Sequence, residues 1–314
     1  MSCITWLGPF DLLNQNRYFG GWPSAGTGRH DVAMAFPVEG WQSSAAVLLR
    51  QRADGGIDGT VAGTPDPDAA FRQALAVLSL DVDGTGYPEV GRADPAIGGL
   101  QRDHNYLRPV LFHSPYEAAC AFVLGHRLRI AQGRAIRQRI AERHGDQITV
   151  AGVRLHSFPT PQRLLELHTV PGVSEEKMRR LHGIARAALD GDLDRRRLRE
   201  LPAVEALGQV RRLRGIGEFF AAGIVLRGAG VVDAVPDERI TRTGIERLYQ
   251  LPSEPDRARI EAITASWRPY RMWCAVLLQL SERRRPSKVH GGRTARTQDT
   301  VRLGGSGDGS GAAG

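Results

Sequence analysis

With 314 residues, 41% hydrophobic and 24% charged, the chain can build two or three globular units, and no apolar run reaches membrane-span length. Its three cysteines, Cys3, Cys120 and Cys274, exclude a four-cysteine iron–sulfur cluster and offer no zinc spacing. The net charge of +8 is uneven: residues 1–110 carry eight Arg and twelve Asp or Glu, a net of −4, so the other 204 residues carry +12. That asymmetry predicts a second half that faces a polyanion.

The opening MSCITWLGPF lacks the basic and apolar regions of a signal peptide, so a cytoplasmic protein is expected. Short β-prone stretches at Trp41–Arg50 and Gly59–Ala62, broken by Gly55-Gly56, precede a helix over Pro65–Leu80 with Asp68, Ala69, Phe71, Ala74, Leu75 and Leu78 at helical spacing. Residues 1–110 are therefore expected to form a mixed α/β sheet domain.

Beyond residue 110 the pattern is helical almost throughout. Ser114-Pro115-Tyr116-Glu117 is a capping box, and Gly125 is placed to end the helix it starts. Further helices are expected at Leu128–Arg143, Thr160–His168, Ser174–Leu189, Val204–Leu213, Glu218–Arg227, Asp237–Leu248, Glu254–Ser266 and Arg271–Arg284. The fold class is thus α+β, with helical domains over 111–285. Residues 286–314, rich in Gly, Ser, Arg and Thr, are expected to be a flexible basic tail.

Two segments carry chemistry. In VRRLRGIG, residues 210–217, Gly215 and Gly217 let the backbone approach a ligand, and the amides opening the next helix can hold a phosphate. A plain αα-hairpin packed into the core explains the same residues equally well. Asp237, in VVDAVPDERITRTG, follows Gly215 by 22 residues. On local grounds an Asp after Pro is most often a helix N-cap.

A Gly-Ile-Gly hairpin followed at this distance by Asp-x-x-Ile-x-Arg resembles the helix-hairpin-helix DNA glycosylase superfamily, and most of all its bacterial 3-methyladenine DNA glycosylase II branch. WLGPFDLLNQNRYF at 6–19, SPYEAACAFVLGHRL at 114–128, FPTPQRL at 158–164 and WRPYR at 267–271 match further landmarks in the same order, so the resemblance spans residues 1–285.

The resemblance implies a DNA cleft between the helical parts and a monomer acting on double-stranded DNA that contains a damaged base, associated with the bacterial nucleoid. Asp237 falls on the catalytic aspartate. Gly215 and Gly217 fall on phosphate-binding positions, and the carbonyls of Arg211, Leu213 and Ile216 on those that hold a Na+ or K+ ion, with no other cofactor required. Tyr18, Phe219, Gly223, Glu238 and Gln279 fall on the base pocket, and His126 and Arg127 on the wedge that fills the gap left by an extruded base. Phe219 stands where strand-cleaving members carry a lysine nucleophile, and neither Lys177 nor Lys288 lies near the motif in sequence. These residues imply a monofunctional enzyme of base excision repair that hydrolyses the N-glycosidic bond of alkylated purines. Gly223, Glu238 and Gln279 depart from the family's aromatic pocket, so a bulky, oxidised or deaminated base is an alternative substrate. A non-catalytic lesion binder is the alternative from another class.

Overall fold

The computed structural model describes residues 2–4, 7–16, 24–25 and 31–284. Tyr18 and the expected tail over 286–314 lie outside the described residues. The fold is α+β: a small antiparallel sheet followed by a mostly helical remainder.

Five strands pair antiparallel in the order Ser2–Ile4, Ile57–Ala62, Ser44–Gln51, Asp31–Pro37, Ser24–Ala25. Met34 lies opposite Val47. Val32, Met34 and Phe36 join one core with Phe71, Ala74 and Leu75 of the helix Pro67–Val77. Ala33 and Ala35, on the opposite face, pack with Val150 and Leu155. Polar alternation does not mark Asp31–Pro37, because a strand covered on both faces has no solvent side.

Val150 and Leu155 belong to a two-stranded hairpin, Gln147–Val150 with Val153–His156. This hairpin corrects the expectation of helix almost throughout beyond residue 110. Its turn is Ala151-Gly152, both at positive φ (48° and 82°), and an alanine in that conformation conceals the turn from sequence reading.

The helices start where short polar side chains can cap them. Ser114 accepts the Glu117 amide at 3.1 Å to open Pro115–Gly125, Asp66 opens Pro67–Val77 in the same way, and Ser174 opens Glu175–Leu189. Two helices not anticipated from the sequence, Tyr87–Ala93 and Pro95–Asp103, share a core with Ile245, Ile260, Trp267, Trp273 and Leu277. Residues on both sides of the expected boundary at 110 therefore pack together. A larger core forms around Tyr116, Leu124, Ile140, Leu181 and Ile224, and Trp41 from the sheet end joins it by donating to the Ala188 carbonyl at 3.0 Å.

Two expected helices are corrected near the hairpin glycines and Asp237. Glu218–Arg227 is not one α-helix: Glu218–Gly223 is α-helical and Ile224–Ala229 widens into a π-helical turn, ended by Gly230 at φ 81°. The helix expected from Asp237 begins at Arg239 and runs to Leu248, because Glu238 is extended at φ −118°, ψ 151°.

Candidate active site

The hairpin joins the helices Ala203–Arg211 and Glu218–Gly223. Gly215 takes φ +82°, a left-handed conformation that other residues adopt only with strain, and the Arg180 side chain lies against it. Ile216 is buried and anchors the turn, its amide donating to the Leu213 carbonyl at 3.0 Å. Gly215 and Gly217 are exposed, and nothing lies within 4 Å of where a Cβ on Gly217 would stand. The exposed backbone at Gly215 and Gly217 therefore leaves room for an anion to approach, whereas the Ile216 amide is already used within the turn.

Asp237 sits in the loop between the π-helical turn and the helix Arg239–Leu248. The capping explanation fails, because Glu238 occupies the N-cap position and makes no side-chain cap bond. Asp237 instead accepts from Arg242 Nε through Oδ1 at 2.6 Å, and its side chain is 42% exposed. That hydrogen bond, more than the accompanying charge attraction, holds the Arg242 guanidinium above its ordinary pKa. A carboxylate held at one oxygen and reachable by solvent can stabilise a positive centre or accept a proton.

Pro236 and Glu238, the neighbours of Asp237, line a cavity of about 30 Å³ together with Ala222 and Gly223 of the second hairpin helix. Arg227 and Gln279 complete its polar lining. The structure thus brings Gly223, Glu238 and Gln279 together from segments far apart in the chain. Gln279 is buried and donates to Thr241 Oγ1 at 3.0 Å. Burial pushes the Glu238 carboxyl up from its ordinary pKa, while the charges of Arg227 and Arg283 pull it down.

Aromatic surface has moved rather than vanished. Gly223 offers no side chain, but the Phe122 ring comes within 2.3 Å of where its Cβ would be. Phe219 is 57% exposed, with its ring centroid 6.4 Å from Phe122 and 5.9 Å from Phe220. Phe122 escapes sequence reading because it lies in the capped helix, about a hundred residues from the hairpin.

His126 and Arg127 occupy the turn between Pro115–Gly125 and Ile130–His144. Arg127 is exposed at φ 58°, a left-handed conformation unusual for its type. The His126 ring packs edge-on against Phe220 at 5.6 Å. What burial it has, then the charges of Arg127, Arg180 and Lys177, lower its pKa. Lys177 is far from the motif in sequence but not in space: its Nζ donates to the carbonyls of Leu124 at 2.8 Å and His126 at 3.1 Å. Sequence distance misleads here because the helix Glu175–Leu189 packs along Pro115–Gly125.

No family model matches the chain. It is 26% identical over 207 residues to the DNA-3-methyladenine glycosylase of Bacillus subtilis, covering 64% of this chain and 68% of that protein. An alkylbase DNA glycosidase-like protein of Schizosaccharomyces pombe is 23% identical over 179 residues, covering 55% and 80%. The solved 3-methyladenine DNA-glycosylase of Archaeoglobus fulgidus superposes with a TM-score of 0.72, at 19% identity over 90% of this chain and 98% of that one. The chain thus resembles the helix-hairpin-helix DNA glycosylases in sequence and shares their fold. The same glycosylase fold is shared, at TM-score 0.62 and 15% identity, with the Clostridium acetobutylicum 8-oxoguanine glycosylase/lyase, solved with double-stranded DNA; 87% of this chain and 92% of that one are covered. Arg227, Phe122 and Arg283 are the residues around this site that sequence reading missed. Arg227 in particular reads locally as the end of an ordinary helix.

Proposed function

We propose that the protein is a monofunctional DNA glycosylase that hydrolyses the N-glycosidic bond of flipped-out alkylated purines in double-stranded DNA, acting as a monomer. One observation carries the reading: the residues on either side of Asp237 and the second hairpin helix line the same cavity, so a base docking its edge there lies beside the Asp237 carboxylate.

An alkylated purine carries a positive charge, and its departure as a neutral base leaves the bonding electron pair on the base nitrogen. The sugar then acquires oxocarbenium character, which Asp237 stabilises by charge as water is excluded. Water adds at C1′ and gives up a proton, with Asp237 or solvent as acceptor. The amides of the exposed residues Gly215 and Gly217 hold a phosphate beside the lesion without reading sequence. The Arg211 carbonyl ends its helix and lacks an intrahelical donor. With the Leu213 and Ile216 carbonyls it makes an all-oxygen set suited to Na+ or K+, which would add positive charge next to that phosphate. Arg127 and His126 fill the gap in the base stack.

Phe219 at the lysine position supports hydrolysis without strand cleavage. So does Lys177, whose ammonium is engaged by two carbonyls and, with a pKa lowered by its partial burial and by Arg180, is aimed at the wedge turn.

The test is base release from methylated duplex DNA. The wild type is expected to liberate free alkylpurine with no strand break before alkali and no adduct trapped by borohydride. Asp237→Asn is expected to lose ~100-fold or more of the single-turnover rate. Unchanged release by the variant overturns the mechanism, and a trapped adduct overturns the monofunctional assignment.

A further inference from the structure

The cavity beside Asp237 is bordered by opposite charges that do not meet. Glu238 lines it, and so does Arg227, which also borders a second cavity of about 70 Å³ with Gln279 and Arg283. Each of Glu238 and Arg227 feels the other's charge. Yet neither has an ion-pair partner within 4.0 Å among the described residues. Arg227 Nη2 donates to the Val110 carbonyl at 2.8 Å, whereas its Nε is shielded from solvent and has no hydrogen-bond partner. A covered donor without an acceptor calls for an explanation. Arg227 also sits in the π-helical turn Ile224–Ala229, a local widening that recurs at functional sites and that here brings the side chain to the cavity.

We propose that Arg227 and Glu238 read the Watson–Crick edge of the extruded base and select a guanine-type purine, whose oxo acceptor lies beside two N–H donors. The inference rests on the glycosylase reading above and deepens it. A carboxylate fork accepts two adjacent N–H groups, as the ring N1–H and the exocyclic amino group of guanine supply. The guanidinium donates to the neighbouring oxo group. An adenine-type edge offers one amino donor beside a ring-nitrogen acceptor, so one carboxylate oxygen would be desolvated without a partner. A cavity of about 30 Å³ takes the edge alone, and the purine ring lies outside it, towards Phe122 and Phe219. Burial strengthens both contacts and makes a mismatch costly, and it is burial that pushes the Glu238 carboxyl up and draws Arg227 down to about 10.

The experiment measures single-turnover release of 7-methylguanine and 3-methyladenine from the same methylated duplex, by the wild type, Glu238→Gln and Arg227→Lys. Glu238→Gln keeps the shape of the side chain, and Arg227→Lys keeps its charge. Each is expected to lower the ratio of 7-methylguanine to 3-methyladenine rates by ~10-fold, the worth of a bidentate base contact. A ratio unmoved by both variants overturns this inference alone, as does an equal loss for both bases, the signature of damaged folding. A wild type that releases neither base overturns the alkylpurine-glycosylase reading and this inference with it.

Discussion

Gly223 and Phe122 show how one side chain can occupy the place of another. A Cβ at Gly223 would stand 2.3 Å from the Phe122 ring, far inside contact distance, so the glycine is required as long as the phenylalanine is present. Gly223→Tyr is expected to cost ~1–3 kcal/mol through overpacking, measured as a shift in the urea midpoint. Combined with Phe122→Ala it should cost less than the sum of the two single changes by ~1 kcal/mol or more. Strict additivity would show that the two positions do not compete for space. Neither residue betrays this relation in sequence. A glycine in a helix reads as a weakness, and its explanation lies on another helix.

At the scale of elements, the turn that carries His126 and Arg127 is held in place by its surroundings. Lys177 ties the carbonyls of Leu124 and His126 from the helix Glu175–Leu189, which leaves Arg127 exposed at the apex with a left-handed backbone. Such a clamp presents one side chain while fixing the loop that carries it. Arg127→Asn suits the test, because asparagine tolerates the left-handed region and the change therefore isolates the side chain. Binding to a duplex with an abasic site is expected to fall by ~10-fold more than binding to intact duplex, the worth of one stacking contact. Equal losses on the two duplexes would reduce Arg127 to a phosphate contact. The helix Arg239–Leu248 teaches the complementary lesson. Its periodicity is legible, but the two residues that separate its observed start from the expected one decide whether Asp237 caps a helix or pairs with Arg242.

At the scale of the whole molecule, Arg108 joins parts of the chain that lie far apart in sequence. It is fully buried, and its guanidinium donates to the carbonyls of Leu7, Pro9, Ser79 and Val82. Its charge lies 5.0 Å from the Trp273 ring centroid, in the helix Arg271–Arg284. Burial draws its pKa down to about 10. Arg108→Met would fill much of the volume yet leave four carbonyls without their donor. A loss of ~3 kcal/mol or more is expected, with the urea m-value unchanged. A loss under ~1 kcal/mol would mean that water replaces the guanidinium at no cost. This residue also explains why the fold around 81–110 is hard to read from sequence. Its helices bury against partners near the C-terminus, so their apolar residues look sparse within their own stretch.

The sequence by itself pointed to the superfamily, the hairpin with Gly215 and Gly217, most of the capped helices, and Asp237 as the residue to examine. These follow from local spacing: a cap, a turn and a helical period each need only a few neighbouring residues. The tertiary structure alone decided that Asp237 is ion-paired rather than capping, that Phe122 fills the space over Gly223, and that Arg227 and Glu238 border one cavity without meeting. Those facts depend on long-range packing, in which residues up to a hundred positions apart share desolvated space, and no local period in the sequence records which of them will meet.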